Sequence, residues 1–242
     1  MRFALLLALL LPTLTAAHAA PPASEGSKAF TARPKVGAAV FSLPATVRWR
    51  STALPGARHR VAIDARVDVA SVIANIKTLS AQALNRDVPC ATLVRVQSAA
   101  AKIMSPRTVR YDLRFRYAKR VCAGGIPMEL PADVNCAATI ALQAVRSTIT
   151  ADVRGATAPP CRIEGAAAAI SDAIYGLVGT NVFKRHVVDV AKLLPKEFQS
   201  VGIEIRALAF EAASPALLIA GEGVMNEVQF AALMARLNSA RP

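Results

Sequence analysis

Four cysteines, three histidines and sixteen acidic side chains are the groups in this 242-residue chain best suited to catalytic or metal-binding work. Cys90, Cys122, Cys136 and Cys161 contain no C-x-x-C spacing, so zinc ligation and dithiol exchange have no motif to rest on. Their even number suits two structural disulfides, provided the compartment oxidises thiols. His18 falls in the N-terminal segment, and His59 and His186 stand among basic or apolar neighbours. With no partner at motif spacing, both read as surface side chains rather than ligands or bases. The acids are scattered singly, so no pair of carboxylates is legible as a hydrolytic site. G-x-S-x-G, G-x-G-x-x-G, P-loop and H-E-x-x-H patterns are absent. The expectation is a non-enzymatic protein with no catalytic residue, no metal site and no cofactor.

Charge says more. Residues 20–120 hold 18 Lys and Arg against five Asp and Glu, whereas residues 121–242 hold ten against eleven. The whole excess of +13 therefore sits in the first half, and a one-sided basic face favours anionic partners. Phospholipid headgroups and lipopolysaccharide phosphates fit an exported protein better than nucleic acid, for which the 5% aromatic content offers few stacking residues. Arg110, Arg114, Arg116 and Arg120 are the expected contacts to such a surface. An arginine-rich solvated face that discourages edge aggregation is the plainer alternative.

The N-terminus bears on the cysteines. Met1-Arg2, the apolar run Phe3–Leu11 and Ala17-His18-Ala19 match the charged, apolar and small-x-small parts of a secretory signal peptide over residues 1–19. The run is short for a membrane span, and no later stretch reaches 18 uncharged apolar residues, so a soluble periplasmic or secreted protein is expected.

The elements that must position these groups follow from periodicity. Residues 20–35 are small, polar and proline-rich and read as a disordered leader, with a single α+β domain over 36–242. His59–Val67 alternates as a half-buried strand. Asp68 then opens an amphipathic helix whose stripe includes Val69, Val72, Ile73, Ile76 and Leu79, and which Pro89 stops. A first hairpin runs from Cys90 to Cys122 about Ser105-Pro106; its return strand alternates Val109, Tyr111, Leu113, Phe115 and Tyr117 with arginines. A second unit runs from Cys136 to Cys161, and the Gly-Gly and Pro-containing segment 123–135 reads as an exposed loop. Pairing outward from Ser105-Pro106 sets Cys90 nearly opposite Cys122, and elimination leaves Cys136 with Cys161. A Cys122–Cys136 link across the loop stays open. A long helix from Ala166 to Val178, a second stripe through Phe183, Val187, Val190 and Leu194, and a break at Gly176/Gly179 come next. Strands over 202–210 and 216–221 and a closing helix capped by Asn226 complete the chain.

This order of elements, with Leu193-Leu194-Pro195, Val201-Gly202-Ile203-Glu204-Ile205 and Leu217-Leu218-Ile219, resembles the tubular lipid-binding (TULIP) superfamily over about residues 59–222. The resemblance implies a long, strongly curved antiparallel sheet wrapped around one long helix, holding a lipid or other amphiphile in an apolar seam. Val72, Ile73, Ile76, Leu79, Tyr111, Leu113, Phe115, Ile170, Ile174 and Leu177 would line it. The competing expectation is a cell-envelope interaction module with a closed core and a basic docking face.

Overall fold

The computed structural model describes residues 24–239, except 34, 37–38, 41, 124–125, 154–160, 166–167, 182, 184, 195, 200 and 212–213. The segment read as a signal peptide and the helix stop at Pro195 lie outside these residues. In chain order the first elements are β1 (Glu25–Ala32), β2 (Lys35–Val36), β3 (Ala39–Val40), β4 (Leu43–Leu54) and β5 (Arg58–Asp68). Helices α1 (Ala70–Ala74) and α2 (Ile76–Leu84) follow, then β6 (Arg86–Val88), β7 (Thr92–Ser105), β8 (Thr108–Ala123), β9 (Ile126–Val145), β10 (Thr148–Val153) and β11 (Cys161–Glu164). The chain closes with α3 (Ala168–Asn181), β12 (His186–Asp189), β13 (Glu204–Phe210), β14 (Ala216–Asn226) and α4 (Glu227–Ser239).

Two antiparallel sheets organise a mostly-sheet α+β fold. The first runs β1-β4-β5-β14-β13, and the second, which curls, runs β12-β10-β9-β8-β7-β6 with β11 also on β9. The second sheet is an excursion between β5 and β13, and β5 pairs directly with β14 from Asp68–Ala216 to Arg58–Asn226. Strict alternation along β5 buries His59, Val61, Ile63, Ala65 and Val67 and leaves the arginines outside. On the inner face these residues meet α4, which contributes Leu233 and Leu237, and the 198–205 segment, which contributes Phe198, Val201 and Ile203. That segment crosses so close to β14 that a Cβ on Gly223 would lie 2.8 Å from the Val201 carbonyl oxygen. Only glycine fits there.

Several expectations are corrected. Much of the leader is ordered: β1 pairs with β4 from Glu25–Arg50 to Ala32–Leu43, its alternating Phe30 and Ala32 packing inward. The first helix is two. Asn75 adopts φ −99°, ψ 12° between α1 and α2, and its side-chain amide donates to the Ser71 carbonyl at 2.8 Å. Such local bonding competes with helix continuation. Asp68 still accepts from the Ala70 amide at 2.8 Å. Among the described residues no single long helix threads the sheet: α3 has 14 residues and passes through Gly176 and Gly179 without a break. The stripe read as a second helix forms β12 and a 3-10 turn over Val190–Leu193, because the β-branched Val187-Val188 pair completes the edge beside β10.

Within the segment 123–135, Ala123 and the residues from Ile126 to Asn135 are strand rather than loop, since β8 and β9 pair up to Ala123–Ile126. Pro127 and Pro131 fall beyond the end of β11, whose pairing with β9 stops at Asp133. Among the described residues no strand pairs with β9 on that side there, so a missing amide is tolerated. The closing helix does follow its cap: the Asn226 side chain accepts from the Gln229 amide at 2.8 Å, and the Gln229 side chain accepts from the Asn226 amide at 3.0 Å.

Disulfides join Cys90 to Cys122 and Cys136 to Cys161, with Cα separations of 5.2 and 4.0 Å. No Cys122–Cys136 link forms. The bridges fit an oxidising compartment. Among the described residues no helix is long and apolar enough to cross a membrane.

Candidate functional site

The seam lies on the helix-covered face of the seven-stranded sheet. Alternation on β8 sends Tyr111, Leu113, Phe115 and Tyr117 to this face, and register places Ala138, Cys136, Val134 and Ala132 of β9 beside them. Helices α2 and α3 lie across it, burying Leu84, Ile170, Ile174 and Val178 against the strands. Seven of the ten residues read as lining meet in this cluster: Tyr111, Leu113, Phe115, Ile170 and Ile174 are buried, and Ile76 and Leu177 are half-buried. Val72 packs instead toward Ala32, Leu43, Ala45 and Val67 of the five-stranded sheet. Ile73 and Leu79 are half-buried on α1 and α2.

Polar atoms inside the seam are satisfied. The Ser80 hydroxyl donates to the Ile76 carbonyl at 2.6 Å and meets the Tyr111 hydroxyl at 2.7 Å. Burial raises the Tyr111 phenol above its ordinary value, and the Ser80 hydrogen bond works the other way. Ionisation of Tyr111 is therefore easier in the unfolded chain, where the phenol titrates near pH 10. The stabilising contribution is intact below about pH 10 and is lost as pH rises through the folded value. In an absorbance titration of the phenolates, Tyr111 should ionise after an ordinary tyrosine, and Tyr111→Phe should remove that late component; an unchanged curve would contradict the buried placement.

The arginine face divides. Arg110 is bonded to Asp112 at 3.0 Å, and the hydrogen bond and charge of that carboxylate raise its pKa. Arg120 bridges Glu129 at 2.7 Å and Asp87 at 2.5 Å. Arg114 and Arg116 are exposed on the face opposite the seam. The surface charge read from the sequence is thus partly spent on internal pairs.

Three further features escaped the sequence reading. His59 is 3% exposed rather than on the surface. Its ring stacks on Phe230 with centroids 3.9 Å apart, and Nε2 lies 2.6 Å from the Glu227 carboxylate, fastening α4 to β5. A groove of about 690 Å³ opens on the outer face of the five-stranded sheet, with Arg48, Asp64 and Leu218 among its lining residues. Arg66 at this groove is held by Glu211 at 2.7 Å and Ser214 at 2.9 Å. Finally, beyond the reach of the helices, the seam face of the curled sheet ends in exposed Val88, Val121, Met128 and Leu130. The signal for this rim was present: Met128, Leu130, Ala132 and Val134 alternate with polar or proline residues, a period of two that the prolines concealed. Among the described residues no group of three or more His, Cys, Asp or Glu could hold a metal ion.

No family model matches the chain, and no curated protein matches it. Among solved structures it is similar to a crystal structure of lipopolysaccharide binding protein, with 14% identity and a TM-score of 0.34 over 56% of this chain. The match spans 32% of that chain, about a third of its length. It is a weak structural resemblance.

Proposed function

We propose that the chain is an exported, non-enzymatic protein that holds a lipid or other amphiphile in the seam between α1–α2 and the helix-covered face of the curled sheet. The observation that supports this reading is the half-buried state of Ile73, Ile76 and Leu79. These apolar side chains belong to helices that lie against the sheets, yet none is sealed. On the other side of the seam α3 buries Ile170, Ile174 and Val178. An acyl chain lying along the open stripe gains about 0.8 kcal/mol for each CH₂ removed from water. It strands no polar group, because Ser80 and Tyr111 satisfy each other.

A second reading, a cell-envelope interaction module with a closed core, is favoured by the complete burial of Leu84, Phe115 and Ile174. Native mass spectrometry of the purified protein before and after organic extraction separates the two. The lipid-binding reading expects an adduct of lipid mass that extraction removes and that a fluorescent fatty acid replaces. It also expects Ile76→Trp with Leu79→Trp to block that uptake while the fold persists. A protein that carries no lipid and takes up no probe overturns it in favour of the closed core.

A further inference from the structure

We infer that the uncovered rim of the seven-stranded sheet docks onto an anionic lipid surface. The register places the relevant residues on one face. Val88 of β6 lies opposite Thr92 of β7, Thr92 opposite Lys119 of β8, and Lys119 opposite Leu130 of β9. One row further out, Val121 faces Met128. Directly opposed residues share a face, so these two rows continue the seam's apolar surface past Tyr117 and Ala132, the last buried pair. Exposure rises there to 47% for Val88, 46% for Val121, 62% for Met128 and 50% for Leu130.

The charges beside this patch have one sign. Lys119 is in the first row, and Arg86, opposite Val94, is in the row behind it; both are exposed and neither is ion-paired among the described residues. The nearby acids are Asp87 and Glu129, which alternation puts on the opposite face, where Arg120 holds both. An apolar end flanked by two cations, its acids turned away and neutralised, complements acyl chains beneath anionic headgroups. Four large apolar side chains at one end of a sheet fall well short of the roughly 20–30 residues per side of a stable protein interface. The rim is also fixed in advance: the Cys90–Cys122 bridge ties the β6–β7 turn to the end of β8. Little ordering is then needed on contact. This surface is distinct from the face that carries Arg114 and Arg116, and its use does not depend on a ligand in the seam.

Vesicle co-sedimentation tests the inference, with phosphatidylglycerol/phosphatidylcholine and pure phosphatidylcholine vesicles at two salt concentrations. Wild type should prefer the anionic vesicles, more strongly at low salt. Met128→Asp with Leu130→Asp should lower binding at least about tenfold while thermal unfolding stays unchanged, because both side chains are exposed. Lys119→Gln and Arg86→Gln should each weaken binding to anionic vesicles about fivefold. Arg114→Glu with Arg116→Glu should bind nearly as wild type. In a separate measurement, Met128→Trp should add an emission that shifts to the blue on anionic vesicles and is quenched by brominated acyl chains. Wild-type binding by the Met128/Leu130 variant, equal binding to both vesicle types, loss of binding confined to the Arg114/Arg116 variant, or an unshifted emission from the Met128→Trp variant would each overturn the proposal.

Discussion

Phe115→Asp leaves no cooperatively folded protein. The Phe115 ring has no exposed surface and lies between Val96 and Val134 on the neighbouring strands, in the same cluster as Leu84, Ile174 and Val178. Losing a buried ring costs about 3–5 kcal/mol, and a carboxylate with no partner in its place adds several more. Against a total stability of about 5–15 kcal/mol for a typical domain, the sum leaves little or nothing. Circular dichroism during heating should show no sigmoidal transition, while Phe115→Leu keeps one at a lower temperature. A wild-type melting curve for Phe115→Asp would mean that the helix-covered face is not the core described here.

The two disulfides should behave differently, because they hold different things. Cys136 is buried in the seam, and its bridge fastens β11, a four-residue strand paired only to β9 among the described residues. Replacing Cys136 and Cys161 together by Ala should destabilise by about 3.5 kcal/mol on the loop-entropy model. Limited proteolysis should then cut within Cys161–Glu164. Cys90 and Cys122 are both exposed at the rim, so mild reductant should open that bridge first and leave the core transition in place. Peptide mapping after graded reduction reads the order, and prior opening of Cys136–Cys161 would contradict the burial that distinguishes them.

What could be read in advance divides along a physical line. Strands with one wet face carry their own signature, so the alternations along β5 and β8, and the placement of Tyr111, Leu113 and Phe115 inward, were visible without coordinates. The Asn226 cap was visible for the same reason: its partner is three residues away. Tertiary pairing overrode local signals elsewhere. Pro127 and Pro131 looked like loop residues until the side of β9 away from β8 accommodated them, and Val187-Val188 fitted a helical stripe until β10 offered an edge. His59 shows the limit most clearly, since its partners Glu227 and Phe230 lie about 170 positions away in the chain. The seam divided likewise. Its strand residues were evident, but the Asn75 break in the first helix depends on a side-chain hydrogen bond that no hydrophobic period records.

The pairing of β5 with β14 has a kinetic consequence. Residues 58–68 find their neighbours only at residues 216–226, after the whole seven-stranded sheet has been traversed. The equilibrium cost of closing so long a loop is modest, because it grows with the logarithm of length. The search itself is slow, since non-local strand pairing is what retards folding. The β7–β8, β8–β9 and β9–β10 hairpins, each built from adjacent segments, can assemble while the five-stranded sheet is still two separate halves. In that interval the facing edges of β5 and β14 are unpaired and open to another copy of the chain. Aggregation during refolding should therefore start at those two edges, and their final zippering sets the moment at which the protein becomes safe from its own copies.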